Sequence, residues 1–585
     1  MALPSTLMLV SLAIQAASAL DVNTRCKSSI FEPLLDANAT IETVDIVSTG
    51  DEYGEGAVNL GYPINPTNLP ELCAVIVKVE SSSNSSFRFG LFLPTEWNSR
   101  VLTVGNGGFA GGINWLDMGP GSHHGFATVS TDTGHNSITT DLSWALDNEE
   151  ARIDWGWRAI HGSVTQAKKL VAAYYEEEAD RSYYTGCSTG GRQGMRELQK
   201  FPDSFDGAMI GAPAWNPPVL NSYVTQVGIF NLPVDDPRHI KVDLLEVIAA
   251  EAVKQCDGVD GVEDGIISEP GDCKVDLSAL SCDRQGIDQE KCLTDAQIDT
   301  ANKVYGDFYS PSGEFVWTGY NPGSEVQWNT VIGADEPTPF GTGFQRYFVY
   351  NDPNWSWEND FNFTVFEDTV KLNPGESRAD KYDLSDFKAL GGKIVLYHGM
   401  ADGLVPERSS SLYYDRVSSA MGGHPTDFFR YFPVPGMLHC GLTVVDAPWH
   451  FAGVPHASVM GLDSWSVPGF RDSQHDLLLA LVDWVEKDVP VDSIIATTWT
   501  TQNNASTGVL RQRPICPFPQ KSVYDGRGDM DDASSWECKL DEQVNGGEDD
   551  EGDNPTTVSG SARLGLPLGI VVGIAAALCV PVLWM

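Results

Sequence analysis

Basic residues are scarce in this sequence: 37 Lys and Arg stand against 80 Asp and Glu over 585 residues, a formal net charge of −43 at pH 7. With no basic stripe to neutralise phosphates, nucleic acid is excluded as a partner, and strong attraction to anionic lipid heads is disfavoured. No short internal repeat is visible, so the chain is not read as a repeat array. Charged residues make up only 20% of the chain against 42% hydrophobic, a balance that excludes wholesale disorder and leaves ample material for a core. No basic residue precedes the N-terminal apolar segment, and no basic cluster follows the C-terminal one.

The N-terminal one, Leu7 to Ile14, precedes Ala17-Ser18-Ala19 and reads as a secretory signal at 1–19, cut after Ala19. The C-terminal one, at 563–585, ends the sequence with no Lys or Arg after it, unlike a conventional single-span anchor. Small residues Ser559-Gly560-Ser561-Ala562 precede it, which is the grammar of a GPI signal and implies a membrane or cell-wall tether; a retained tail anchor is the alternative. The Asp-, Glu- and Gly-rich stretch 541–562 cannot bury a core and reads as a disordered stalk. Eleven cysteines agree with secretion: Cys579 lies in the tail, and the other ten form an even set suited to an oxidising compartment. Five Asn-x-Ser/Thr sequons begin at Asn38, Asn84, Asn354, Asn362 and Asn504.

Between these ends the text alternates short apolar runs with glycine-rich breaks. Val101–Val104 and Phe126–Ser130 read as buried strands, Trp155–Tyr175 as a helix with Ile160, Val164, Ala167, Leu170, Val171 and Tyr174 on one face, and Arg181–Thr185 as a further strand. Strand–helix–strand alternation predicts a parallel sheet with helices on both faces, an α/β fold. The pattern breaks near Pro217 and resumes at Lys393-Ile394-Val395-Leu396-Tyr397-His398-Gly399. The economical reading is an α/β domain in two parts, 20–216 and 391–540, interrupted by an inserted lid at 217–390.

Gly186-Cys187-Ser188-Thr189-Gly190 follows a strand and opens a helix, the context in which Gly-x-Ser-x-Gly places a nucleophile on a sharp turn. The Thr189 N–H can then face a developing oxyanion, and Gly107-Gly108, after the strand at Val101–Val104, is the candidate for a second donor. A serine hydroxyl needs a base. Asp402 lies just past the strand at Lys393–His398, and His439 lies in a loop further on, so Ser188, Asp402 and His439 occur in the order of an α/β-hydrolase triad. His398 and His450 remain as rival bases, and Asp415, Asp427 and Asp446 as rival acids; His398 precedes Asp402, which favours a structural role for it.

Cys187 beside Ser188 and Cys440 beside His439 make a Cys-Ser…Asp…His-Cys arrangement. It resembles the fungal tannase and feruloyl esterase family, and Gly186–Gly194 is similar to that family's elbow. The resemblance implies an α/β-hydrolase fold with Ser188 as nucleophile, Asp402 as orienting acid and His439 as base, joined through a Cys187–Cys440 disulfide. It further implies bridges Cys26–Cys73, Cys256–Cys273, Cys282–Cys292 and Cys516–Cys538. By the same likeness the lid binds Ca²⁺ through the Asp257, Asp260 and Asp264 side chains and the Val262 and Ile266 carbonyls, in a glycine-bent acidic loop. The implied substrate is an aromatic-acid ester linked to plant cell-wall polysaccharide, with the elbow leaning toward ferulate; gallate esters, as in tannase, and a non-catalytic surface protein on a hydrolase fold are the alternatives. Aromatics crowd the segment from Trp317 to Phe366, where they either pack the lid or stack on a phenolic acyl group.

Overall fold

The chain was analysed as a computed structural model that describes residues 21–451, 456, 466–501 and 504–540. The signal-like N-terminus, the acidic stretch 541–562, the apolar tail and Cys579 lie outside the described residues.

Nine strands form the main sheet: β1 Ala39–Val47, β2 Leu72–Glu80, β3 Ser86–Pro94, β4 Arg100–Val104, β5 Ala127–Thr131, β6 Arg181–Cys187, β7 Gly207–Gly211, β8 Lys393–Gly399 and β9 Phe429–Val434. Their spatial order is β1-β2-β3-β5-β4-β6-β7-β8-β9. From β5 through β9 every pairing is parallel. The three strands on the other side pair antiparallel, β1 with β2, β2 with β3, and β3 with β5. The sheet is therefore mixed rather than parallel throughout. Its antiparallel half lies mostly before Asn98, where the alternation of strand and helix has not begun. The order reverses between β4 and β5, and active sites of open α/β sheets collect beyond the carboxyl ends of strands near such a reversal. This is the α/β-hydrolase fold.

The helix Ala159–Tyr175 buries Ile160, Val164, Ala167, Leu170, Val171 and Tyr174 against the sheet. The elbow helix Thr189–Lys200 follows β6 directly. Strands β7 and β8 are hydrogen-bonded neighbours, yet residues 212–392 run between them and add no strand to the main sheet. That excursion holds the helices Pro217–Phe230, Val242–Cys256, Asp295–Tyr305 and Phe363–Leu372 and a small hairpin, Phe308–Tyr309 with Phe315–Trp317. It is not a detached flap. Trp317, Trp328, Phe344 and Phe348 of the lid share one buried cluster with Phe109, Trp155, Tyr184 and Leu396 of the hydrolase part. Most of the aromatics between Trp317 and Phe366 are thus core, with Trp328, Phe344 and Phe366 wholly buried.

Beyond β9, the strand Ile494–Trp499 pairs with Val509–Ile515, and Lys521–Tyr524 with Trp536–Lys539. Arg513 from this last part donates to Asp264 of the lid at 2.6 Å. Five disulfides staple the molecule: Cys26–Cys73, Cys187–Cys440, Cys256–Cys273, Cys282–Cys292 and Cys516–Cys538. Among the described residues, no helix is long and apolar enough to cross a membrane.

Candidate active site

Strand β6 ends at Cys187, and the chain turns into the elbow helix through Ser188, whose φ of 61° and ψ of −120° lie outside the ordinary regions for an L-residue. Neighbours hold this strained turn in place. The Ser188 N–H donates to the Gly211 carbonyl at 3.0 Å, and the Ser188 carbonyl accepts from Arg192 and Ala214. The glycines are required sterically: a Cβ on Gly186 would sit 2.8 Å from the Gly190 carbonyl carbon, and one on Gly190 would meet the Asn106 carbonyl oxygen at 3.0 Å. Arg192 is fully buried, its guanidinium over the Trp155 ring and donating to the Trp155 and Gly156 carbonyls. Gln193 accepts the Asn106 N–H at 2.9 Å and so ties the elbow helix to the Gly105–Gly108 loop.

Asp402 follows β8, almost wholly buried at 1% exposure. Its Oδ1 accepts the N–H groups of Leu404 at 2.8 Å and Val405 at 2.9 Å, and its Oδ2 faces His439 Nδ1 at 2.6 Å. The same Oδ2 lies 2.9 Å from His398 Nε2. Burial pushes the Asp402 carboxyl up, but the charge of His439 and the hydrogen bonds from His398 and His439 outweigh it and hold the group well below the usual carboxylate range. His398 Nε2 meets two acceptors, Asp402 Oδ2 and the Val405 carbonyl at 3.0 Å, so that nitrogen carries its proton. His398 is wholly buried, with Nδ1 on Ser410 Oγ; it braces Asp402 rather than facing solvent.

The remaining rivals lie elsewhere. Asp427 is bridged to Lys388 at 2.7 Å, and Asp446 is exposed. Asp415 is raised by burial and lies within the field of His424. His450 is buried among Trp449, His456 and Trp499, and burial lowers its pKa to about 3. Among the described residues only Asp402 bonds the His439 ring.

The His439 loop is fixed from two sides. Cys440, at a φ of 63°, joins Cys187 with a Cα separation of 5.9 Å across 253 positions of sequence. Gln327 of the lid accepts the N–H groups of both His439 and Gly403 through one oxygen, each at 3.1 Å. In the loop after β4, the Gly107 N–H donates to the Tyr62 hydroxyl at 2.6 Å, while the Gly108 N–H has no acceptor among the described residues. Sequence reasoning did not find Gln327 or Tyr62; both act from segments far from any motif.

The family model for tannase and feruloyl esterase matches residues 73–539. The chain belongs to this family. Probable feruloyl esterase B-1 of Aspergillus flavus is 33% identical over 497 residues, covering 83% of this chain and 91% of that protein. The probable feruloyl esterase B-2 of Aspergillus oryzae matches equally, at 33% over 497 residues. The crystal structure of feruloyl esterase B from Aspergillus oryzae superposes with a TM-score of 0.80 at 30% identity, over 89% of this chain and 100% of that one. A tannin acyl hydrolase from Aspergillus niger shares the fold, with a TM-score of 0.67 at 20% identity, over 90% of this chain and 97% of that one.

In this tannase-family carboxylic ester hydrolase, the acidic lid loop bends at Gly261 and Gly265, with φ of 87° and 83°. Asp257 Oδ1 accepts the N–H groups of Asp264 and Gly265, Asp260 that of Val262, and Asp264 that of Ile266. Each carboxylate thus bonds the loop's own backbone, and Asp264 also meets Arg513. Among the described residues, no three His, Cys, Asp or Glu side chains converge as a metal cluster. A separate cavity of about 470 Å³ lies between the lid and the C-terminal hairpins, lined by Met400, Glu407, Arg513 and Trp536; Ser188 and His439 are not part of it.

The buried histidines set an acid-side response. Folding keeps His450 neutral, its pKa lowered from 6.5 to about 3, so below the unfolded value the unfolded chain binds a proton that the folded chain refuses. Its contribution to stability is complete above 6.5 and is lost as the pH falls toward about 3. His450→Phe should make the pH dependence of urea unfolding shallower across that window, and an unaltered slope would count against this origin.

Proposed function

We propose that the chain is a secreted serine esterase releasing ferulic-type hydroxycinnamic acids from plant cell-wall esters. The observation that carries the mechanism is the His439–Asp402 contact at 2.6 Å, on a loop tied by Cys440 to the residue beside Ser188. With Nδ1 held by Asp402, the His439 Nε2 is the nitrogen left to take the Ser188 proton. Ser188 Oγ then bonds to the ester carbonyl carbon, and the displaced π electron pair collects on oxygen, facing the Thr189 and Gly108 N–H groups. Collapse expels the alcohol, protonated by His439, and a water repeats the sequence to free the acid. The preference for ferulate over gallate is supported by relatives named feruloyl esterase B at 33% identity.

We propose in addition that Ca²⁺ is held by the Asp257, Asp260 and Asp264 side chains with the Val262 and Ile266 carbonyls. The donors are all hard oxygens, which suits this ion. Burial and the charge of Asp264 both push the Asp260 carboxyl up, a cost that a cation would relieve. When bound, the ion would neutralise the loop's carboxylates. Secretion is supported by the five bridges, which suit an oxidising compartment. The C-terminal sequence supports a GPI tether.

Three measurements check these readings. Wild type should hydrolyse methyl ferulate faster than methyl gallate, and Ser188→Ala should lose both activities by about 10⁴-fold or more; the reverse preference would make it a tannase, and an active Ser188→Ala would remove the triad. EDTA should lower the Tm, and an unchanged melting curve would eliminate the calcium site. Phospholipase C should release the protein from cells, and its retention would favour an uncleaved tail.

A further inference from the structure

Three donors besides His439 close round the Asp402 carboxylate, and the two oxygens are served differently. Oδ1 accepts only backbone, the Leu404 and Val405 N–H groups at 2.8 and 2.9 Å. Oδ2 accepts two imidazoles, His439 Nδ1 at 2.6 Å and His398 Nε2 at 2.9 Å. The oxygen that pulls on the His439 proton is therefore shared with a second ring.

That second ring is held at both nitrogens. His398 lies near the end of β8, wholly buried. Its Nε2 also faces the Val405 carbonyl at 3.0 Å, and its Nδ1 meets Ser410 Oγ at 2.8 Å in the helix Arg408–Met421. With two acceptors before it, Nε2 is a donor whatever the charge on the ring. The other ionisable groups around these loops are engaged elsewhere. From the lid, Tyr320 donates to the Leu404 carbonyl at 3.1 Å, Asn321 donates to Glu407 at 2.7 Å, and Glu325 accepts from Tyr305 at 2.6 Å. From the helix, Arg408 pairs with Asp307 at 2.8 Å and Ser411 donates to Glu407 at 2.7 Å. From β9, Tyr431 donates to Glu407 as well. Among the described residues, none of these groups bonds the Asp402 side chain or either ring. Burial pushes the Tyr320 and Tyr431 phenols up, so both keep their protons. It raises the Glu325 carboxyl too, and that influence is common to every variant compared below.

We propose that His398 sets how firmly Asp402 holds the His439 proton. This rests on the reading of His439 as the base for Ser188. A hydrogen bond to Oδ2 withdraws part of its negative charge, so the carboxylate stabilises the protonated His439 ring less than it would alone. His439 is thereby free to take the serine proton at a lower pH. No bond to His398 forms or breaks in the reaction, and its proton stays on Nε2. It is a positioning residue that acts only through Asp402: it leaves the carboxylate enough charge to orient His439 Nδ1 without trapping the imidazolium.

The pH dependence of kcat/KM on methyl ferulate tests this. His398→Phe keeps a ring and removes the donor. Its acid limb should move to higher pH by about 0.5–1 pH unit, while kcat above the limb stays within about tenfold of wild type. His398→Gln, which restores an N–H near the Nε2 position, should bring the limb back toward its wild-type place. A limb that stays fixed in His398→Phe, even with a lower rate at every pH, would mean that the ring only packs, and would overturn the proposal. A limb that moves to lower pH, or one that His398→Gln does not restore, overturns it equally. If His398→Phe does not fold, Ser410→Ala decides: losing its Nδ1 partner makes His398 a weaker donor, so the limb should move up by a smaller amount, and an unmoved limb overturns the proposal alone. Ser188→Ala is measured alongside. If it is inactive, a failed shift concerns His398 only; if it keeps its activity, the triad itself is wrong.

Discussion

One buried carboxylate organises the site. Asp402 is almost fully removed from water, where an isolated charge would be very costly. It is tolerated because two backbone N–H groups and two histidine rings converge on its oxygens. Each partner arrives from a different piece of structure: Leu404 and Val405 from the loop after β8, His398 from β8 itself and His439 from the loop after β9. The carboxylate can remain charged only if these pieces dock together, so the strand ends and the two loops are positioned by a single electrostatic requirement.

The two flanking constraints act on the same loops from outside. The Cys187–Cys440 bridge joins the end of β6 to the His439 loop; entropic accounts of closing so long a loop give about 5 kcal/mol, a model-dependent value. Gln327 reaches from the lid and bonds the backbones beside both Asp402 and His439. The insertion's side chains share a core with the sheet, and the Gln327 amide orients the loops that carry Asp402 and His439.

The parts legible in the sequence are those written locally. Ser188 was visible because a strand, a glycine-flanked turn and a helix are contiguous in the text, and Asp402 because it sits just past an unmistakable buried strand. Cys187 and Cys440 were visible as neighbours of those residues. The antiparallel strands β1 to β3 were not, because Leu72–Glu80 is buried on both faces and shows neither an alternating pattern nor a following helix. Gln327 and Tyr62 were invisible for a different reason: the contacts that give them meaning span 112 and 45 positions, and neither residue type is unusual where it stands. The crowded aromatics between Trp317 and Phe366 illustrate the converse. Composition left core packing and stacking on a phenolic acyl group both open, and burial assigns most of them to the core that lid and sheet share.

The insertion of residues 212–392 between two adjacent strands has a consequence for the order in which the molecule is made. Synthesis proceeds from the N-terminus, so the elbow emerges early, and Asp402 and His439 only after the whole insertion. During that interval Cys187 lacks the sulfur it pairs with in the finished molecule, and β7 lacks its β8 neighbour. The pairing of Cys187 with Cys440 can therefore form only after the whole insertion has been made, and it marks the moment at which the two halves of the sheet become one covalent unit.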